Sequence, residues 1–346
     1  VRLLALAALA VLAGCGGGPT ASSPAVAPRS YRMGFSSAPP RPDQALALRG
    51  LALWEQRADA ALIFMEPPWT ALLQGADPES LVRADPLPLV EHYRARSLRV
   101  IANLDPTNGI DRTAEAAPLV AAGRSLREPV VRDLYRRYVG AFVSVIRPDV
   151  LGLASETNLV RPLVPPDVYA GFVAASNEAA AEARRRDPAL RLMFSVQVDV
   201  AHGVGWAPAG IEQDRADFPF AQALGLSSYP YLTGVADPDD LPLDYYASLA
   251  GGLPVLLLEG GWPSVSLGPT IVSSPDAQRR YVERQVKLLD AAQAEAWFQI
   301  TFTDLDLTGA PPGLVPFGSL GLVDVDLQPK PALQAWDAAF ARPLRR

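Results

Sequence analysis

The sequence predicts an α/β fold, a single (β/α)8 or TIM barrel, on three observations. From Tyr31 onward, short apolar runs alternate with longer stretches of helical period, and eight such units can be counted. The runs are apolar throughout, as strands buried on both faces must be, and strands of that kind joined by helices pair in parallel. No Pro/Gly/Ser-rich linker interrupts the series, so the units belong to one domain. An open doubly wound sheet is the rival. It ordinarily carries a Gly-rich phosphate turn after its first strand, where this chain has Ser36-Ser-Ala-Pro-Pro40.

The strand candidates span 31–36, 60–65, 98–104, 150–156, 191–196, 223–229, 254–259 and 297–303. Between them lie helical stretches at 42–57, 87–96, 128–146, 166–186, 241–250 and 274–294, with a closing one at 331–340. Within 128–146, Asp133, Tyr135, Tyr138, Phe142 and Val145 show the mixed spacing of an amphipathic helix. Ser274-Pro-Asp is a capping start with proline in the first turn, and Arg184-Arg-Arg186 places cations where they complement a helix dipole. The connection at 202–218 carries Gly, Pro and scattered charge and predicts the least regular helix.

The ends and the composition bound the rest. Residues 1–15 give one positive charge, an apolar run of about eleven residues and the box Leu12-Ala-Gly-Cys15, too short to span a bilayer and suited to export. Residues 16–29 are rich in Gly, Pro, Ala and Ser and predict a flexible tether, leaving 30–346 as the barrel domain. Cys15 is the only cysteine, so the domain holds no internal disulfide and no Cys-based zinc site. A hydrophobic content of 49% supports a large core, and a net charge of −6 without a basic cluster excludes a nucleic-acid partner. No Gly-x-Ser-x-Gly elbow or nucleotide loop occurs, and two histidines without ligand spacing predict no metal and no cofactor.

Active sites of such barrels lie at the C-terminal ends of the strands. Polar residues crowd those ends: Ser36, Glu66, Asn103, Asp105, Ser155, Gln197, Asp199, His202, Ser228 and Asp304 among them. Glu156 and Glu259 stand out because each directly ends an apolar run, where an ionised carboxylate is costly unless paired or used. A pair of carboxylates at strand ends is what glycosidic bond cleavage needs.

With Glu156 ending the fourth strand, Glu259 the seventh and Ser227-Ser-Tyr-Pro-Tyr231 on the sixth, the chain resembles the clan A (4/7 superfamily) glycoside hydrolases over most of residues 30–306. Gly152-Leu-Ala-Ser-Glu-Thr-Asn158 and Gly225-Leu-Ser-Ser-Tyr-Pro-Tyr231 are most similar to the endo-β-1,4-galactanase family, family 53. Glu259-Gly-Gly-Trp-Pro-Ser264 is also similar to the Glu-Thr-Gly-Trp-Pro-Ser signature of plant-type β-1,3-glucanases. The resemblance implies a retaining hydrolase of poly- or oligosaccharides, with Glu156 as acid/base, Glu259 as nucleophile and Tyr229 hydrogen-bonded to the nucleophile. Ser155 stands where the clan has asparagine, and the eighth strand lacks the clan's terminal tryptophan. Ser155, Asn158, His202, Tyr229, Tyr231, Trp262 and Asp304 are the expected substrate-binding residues, with Trp69 and Trp206 as further stacking candidates. The first fifteen residues resemble a bacterial lipoprotein signal, which implies lipidation at Cys15 and a membrane-anchored place in the cell envelope, at the outer membrane or cell surface. A non-catalytic glycan-binding lipoprotein on the same scaffold and a transglycosylase remain open alternatives.

Overall fold

The computed structural model describes residues 27–345 apart from 37, 205 and 311. The signal at 1–15 with Cys15, and residues 16–26 of the tether, lie outside the described residues. Eight parallel strands close a barrel in sequence order: β1 Arg32–Ser36, β2 Ala60–Met65, β3 Arg99–Leu104, β4 Val150–Gly152, β5 Arg191–Gln197, β6 Ala223–Ser228, β7 Val255–Gly260 and β8 Ala296–Gln299. The closing pair aligns Arg32 of β1 with Ala296 of β8. The long helices Pro129–Ile146, Pro166–Arg186 and Pro275–Ala292 pack outside the sheet.

The barrel interior is a small cluster of alternate strand residues, including Leu62, Ile101, Met193, Leu256, Leu258 and Phe298. The larger core fills the layer between sheet and helices, with Phe35, Trp54, Trp297 and Trp336 packed ring to ring. Strand residues pointing alternately inward and outward explain why these segments are apolar throughout.

Several elements differ from the sequence expectation. β4 stops at Gly152 and β8 at Gln299, each four residues before its predicted end, and the residues beyond turn away to build the rim. The helix expected at 241–250 shrinks to Ala247–Ala250, preceded by a 3-10 turn at Pro238–Asp240. The irregular fifth connection yields only Val198–Ala201 and Glu212–Asp217. Arg29, expected at the end of the tether, is buried: it binds the Asp59 carboxylate at 2.5 Å and its backbone N–H donates to Pro343 O. That pair joins the start of the barrel to its final residues.

Candidate active site

Two local devices bring the strand-end glutamates together. Beyond β4 the backbone of Glu156 enters the left-handed region (φ 44°, ψ 46°), a strained conformation for a residue with a side chain. Its N–H donates to Ser195 Oγ at 3.0 Å, and its carbonyl opens the helix Thr157–Leu163. On β7 the register against β6 shifts after Leu226, so that Ser227 pairs with Glu259 rather than with Leu258. A bulge of this kind re-aims a side chain at a barrel rim. Ser227 then lies between the two acids: its backbone is paired with Glu259, and its hydroxyl donates to Glu156 Oε1 at 2.6 Å.

Both carboxylates line a cavity of about 640 Å³ at the C-terminal ends of the strands. Glu156 Oε2 accepts from Arg112 Nε at 2.8 Å. Arg112 also binds Asp105 Oδ2 at 2.5 Å and Thr107 Oγ1 at 3.0 Å, and the side chains of Arg112, Asp105 and Glu156 are all at least nine-tenths buried. Burial alone would lower the Arg112 pKa, but the charges of Asp105 and Glu156 outweigh it and the guanidinium stays charged. Glu259 accepts from Tyr229 Oη at 3.0 Å. Desolvation, and then the nearby charge of Glu156, push the Glu259 pKa up to about 8, against the opposing effects of Arg112 and Tyr229. Desolvation first, and then Glu259, raise the Tyr229 phenol well above its usual range, so it remains a donor.

Burial and the neighbouring charge of Glu156 thus favour the protonated form of Glu259. The Arg112 guanidinium pairs directly with Glu156 and not with Glu259.

The remaining expected binding residues separate from the cavity. Ser155 is fully buried and accepts from Asn103 Nδ2 at 2.8 Å. Asn158 spends its amide on the backbone of Gln197, donating to its carbonyl at 2.9 Å and accepting from its N–H at 2.8 Å. Tyr231 is buried with its hydroxyl on Pro316 O, and Trp262 is buried against Tyr281 with Nε1 on Ser273 Oγ. Asp304 is held by Lys330 Nζ at 2.6 Å and by the N–H of Gly321. His202 stacks on Tyr245 and donates from Nε2 to the Tyr245 carbonyl. Of the tryptophans, Trp69 is buried, and Trp206, 56% exposed, lines the cavity. Among the described residues no group of three His, Cys, Asp or Glu side chains is placed to hold a metal ion.

Arg112 is the residue that sequence reasoning missed. It sits in a loop shaped by Asx turns at Asn108 and Asp111, without a motif to mark it. The one available signal was Asp105 at the end of β3, a buried acid that requires a cation nearby.

No sequence profile of a protein family matches the chain, and no curated protein matches it. Solved structures do. An exo-β-1,4-mannosidase from Opitutaceae bacterium strain TAV5 superposes with a TM-score of 0.64 at 19% identity, covering 90% of this chain and 59% of that one. A GH5_18 variant from Bifidobacterium longum in complex with Manβ1-4GlcNAc gives 0.66 at 16% identity, covering 91% of this chain and 80% of that one. A β-glucuronidase of an uncultured Clostridium species gives 0.58 at 12% identity, with 91% and 53% covered. The chain thus spans less than two thirds of the mannosidase and about half of the glucuronidase. At these identities the likeness establishes the barrel fold.

Proposed function

We propose that this protein is a retaining glycoside hydrolase in which Glu156 and Glu259 form the catalytic pair. The observation that carries the reading is Ser227, which touches both acids at once, its hydroxyl on Glu156 and its backbone paired with Glu259 across the bulge. One carboxylic acid with one carboxylate is what a double displacement consumes. Glu259 attacks the anomeric carbon as the glycosidic bond breaks, while Glu156 gives its proton to the departing oxygen. Water, deprotonated by Glu156, then cleaves the glycosyl ester on Glu259. For the first step Glu156 must carry the proton.

The fold likeness to a mannosidase and a glucuronidase supports the reading, as does the placement of both acids at the strand ends. The test is turnover of a panel of aryl glycosides by wild type, Glu156→Gln and Glu259→Gln, with the first-formed anomer followed by NMR. Hydrolysis with retention, lost in both variants, is expected; inversion, or hydrolysis that survives Glu259→Gln, overturns the mechanism.

A second reading, a non-catalytic glycan-binding protein, has one observation in its favour: an acid/base glutamate ion-paired with a buried arginine is a poor proton donor. It requires no hydrolysis of any glycoside by the wild type and undiminished glycan affinity in the double variant. From sequence alone we also propose that Cys15 carries a diacylglycerol anchor holding the domain in the cell envelope. A Cys15→Ala chain should then leave the membrane fraction.

A further inference from the structure

Most of the polar side chains that line the cavity beside the two acids are already engaged by the protein. Of the polar side chains that line it, Ser36 donates to Ile300 O, Glu66 accepts from Gly109 N, and Thr233 donates to Pro230 O. Gln197 is held by Asp199 and the N–H of Val200, and Tyr229 is engaged by Glu259. Thr301 Oγ1 is the one buried polar atom of the wall without a partner among the described residues. Arg112 is the only cation among the described residues of the wall, and it is already shared between Asp105 and Glu156.

The rest of the wall is apolar. Ile110, Leu159, Val200, Trp206, Leu232 and Phe317 come from five different strand-end loops and face one space. Ile110, Trp206 and Leu232 are 57%, 56% and 42% exposed, a concentration of bare apolar surface at one mouth. A site built for a long polysaccharide needs hydroxyl partners along its length, because each hydroxyl stripped of water without a partner costs affinity.

We propose that the substrate is a neutral glycoside with one sugar ring at the two acids and a hydrophobic aglycone lying against the apolar wall. The proposal rests on the hydrolase reading for what happens to the bond, but not for what binds. A uronic acid is disfavoured, since the cation it would need is committed and the acids Glu66, Glu156 and Glu259 face the same space. Leaving-group departure then places an apolar alcohol on the Trp206 side, with its oxygen protonated by Glu156.

The experiment is calorimetry with non-hydrolysable thioglycosides of glucose, mannose, galactose and glucuronic acid, each with a methyl and an octyl aglycone below its micellar concentration. Wild type, the Glu156→Gln, Glu259→Gln double variant and a Trp206→Ser, Leu232→Asn variant are compared. For at least one neutral sugar the octyl compound should bind the wild type at least about 10-fold tighter than the methyl compound, as burial of only a few methylenes requires. The ratio should persist in the double glutamate variant and collapse in the rim variant, whose substitutions fall on exposed residues. An octyl-to-methyl ratio near one overturns the proposal, as does a preference for the glucuronide. Equal affinity for a sugar-free octyl ether overturns it too, because the site would then hold a lipid. If the octyl preference stands while no glycoside is cleaved, the hydrolase reading fails alone.

Discussion

Replacing Arg112 by methionine removes the one cation among the described residues of the cavity wall and leaves its shape largely filled. In the native protein Arg112 is 6% exposed and bonded to Asp105 at 2.5 Å and Glu156 at 2.8 Å, with the Asp105 side chain fully buried. Without it, Asp105, Glu156 and Glu259 form a cluster of three acids with no counter-charge. Orphaning a buried ion pair costs about 3–5 kcal/mol, which lowers Tm by roughly 5–10 °C in a domain of this size. Carboxylates stripped of the cation have raised pKa values, so the folded form binds more protons than the unfolded chain and stability falls as pH rises. The deficit should therefore be largest near pH 8 and shrink towards pH 4. Thermal unfolding followed by circular dichroism at both pH values measures it, with Arg112→Lys recovering part of the loss. A Tm unchanged at pH 8, or a deficit of the same size at both pH values, would refute the assignment of Arg112 as the counter-charge.

Three further outcomes follow from the same geometry. Glu259, raised from 4.5 to about 8, gives stability that is fully present below pH 4.5 and is lost as pH climbs to 8, so Glu259→Gln should flatten that slope in pH-dependent melts and exceed the wild type above pH 8. Tyr229→Phe removes the 3.0 Å donor to Glu259, should raise that pKa further, and should cut kcat about 10-fold or more while moving the pH profile towards alkali. Gly34→Ala should fold poorly, since a methyl there would stand 2.0 Å from the backbone oxygen of Ala60 on the neighbouring strand, and soluble yield and Tm report it.

The fold was legible because its signals are local. Ala60–Met65 and Pro166–Arg186 have the bounds the sequence predicts, one marked by an unbroken apolar run and the other by proline at its start and arginines at its end. The two glutamates were legible for a related reason, as charges at the ends of runs that otherwise exclude them. Strand lengths were less so: Leu153 and Ala154 continue the apolar run of β4, but the turn that frees Glu156 depends on Ser195 across the sheet. Trp262 and Tyr231 look like sugar platforms in sequence and are packing residues in the fold, because an aromatic ring at a strand end serves either purpose. Arg112 carries no periodicity or spacing, and its role exists only once its loop has folded over β3 and β4.

In the proposed double displacement Glu259 becomes covalently bonded to the sugar. Incubation with a panel of 2-deoxy-2-fluoro glycosides bearing activated leaving groups, followed by peptide mass spectrometry, tests it directly, because the fluorine slows hydrolysis of the glycosyl ester. A one-to-one adduct on the peptide containing Glu259, absent in Glu259→Gln, is expected. An adduct on Glu156, or none with any sugar that the protein binds, would contradict it.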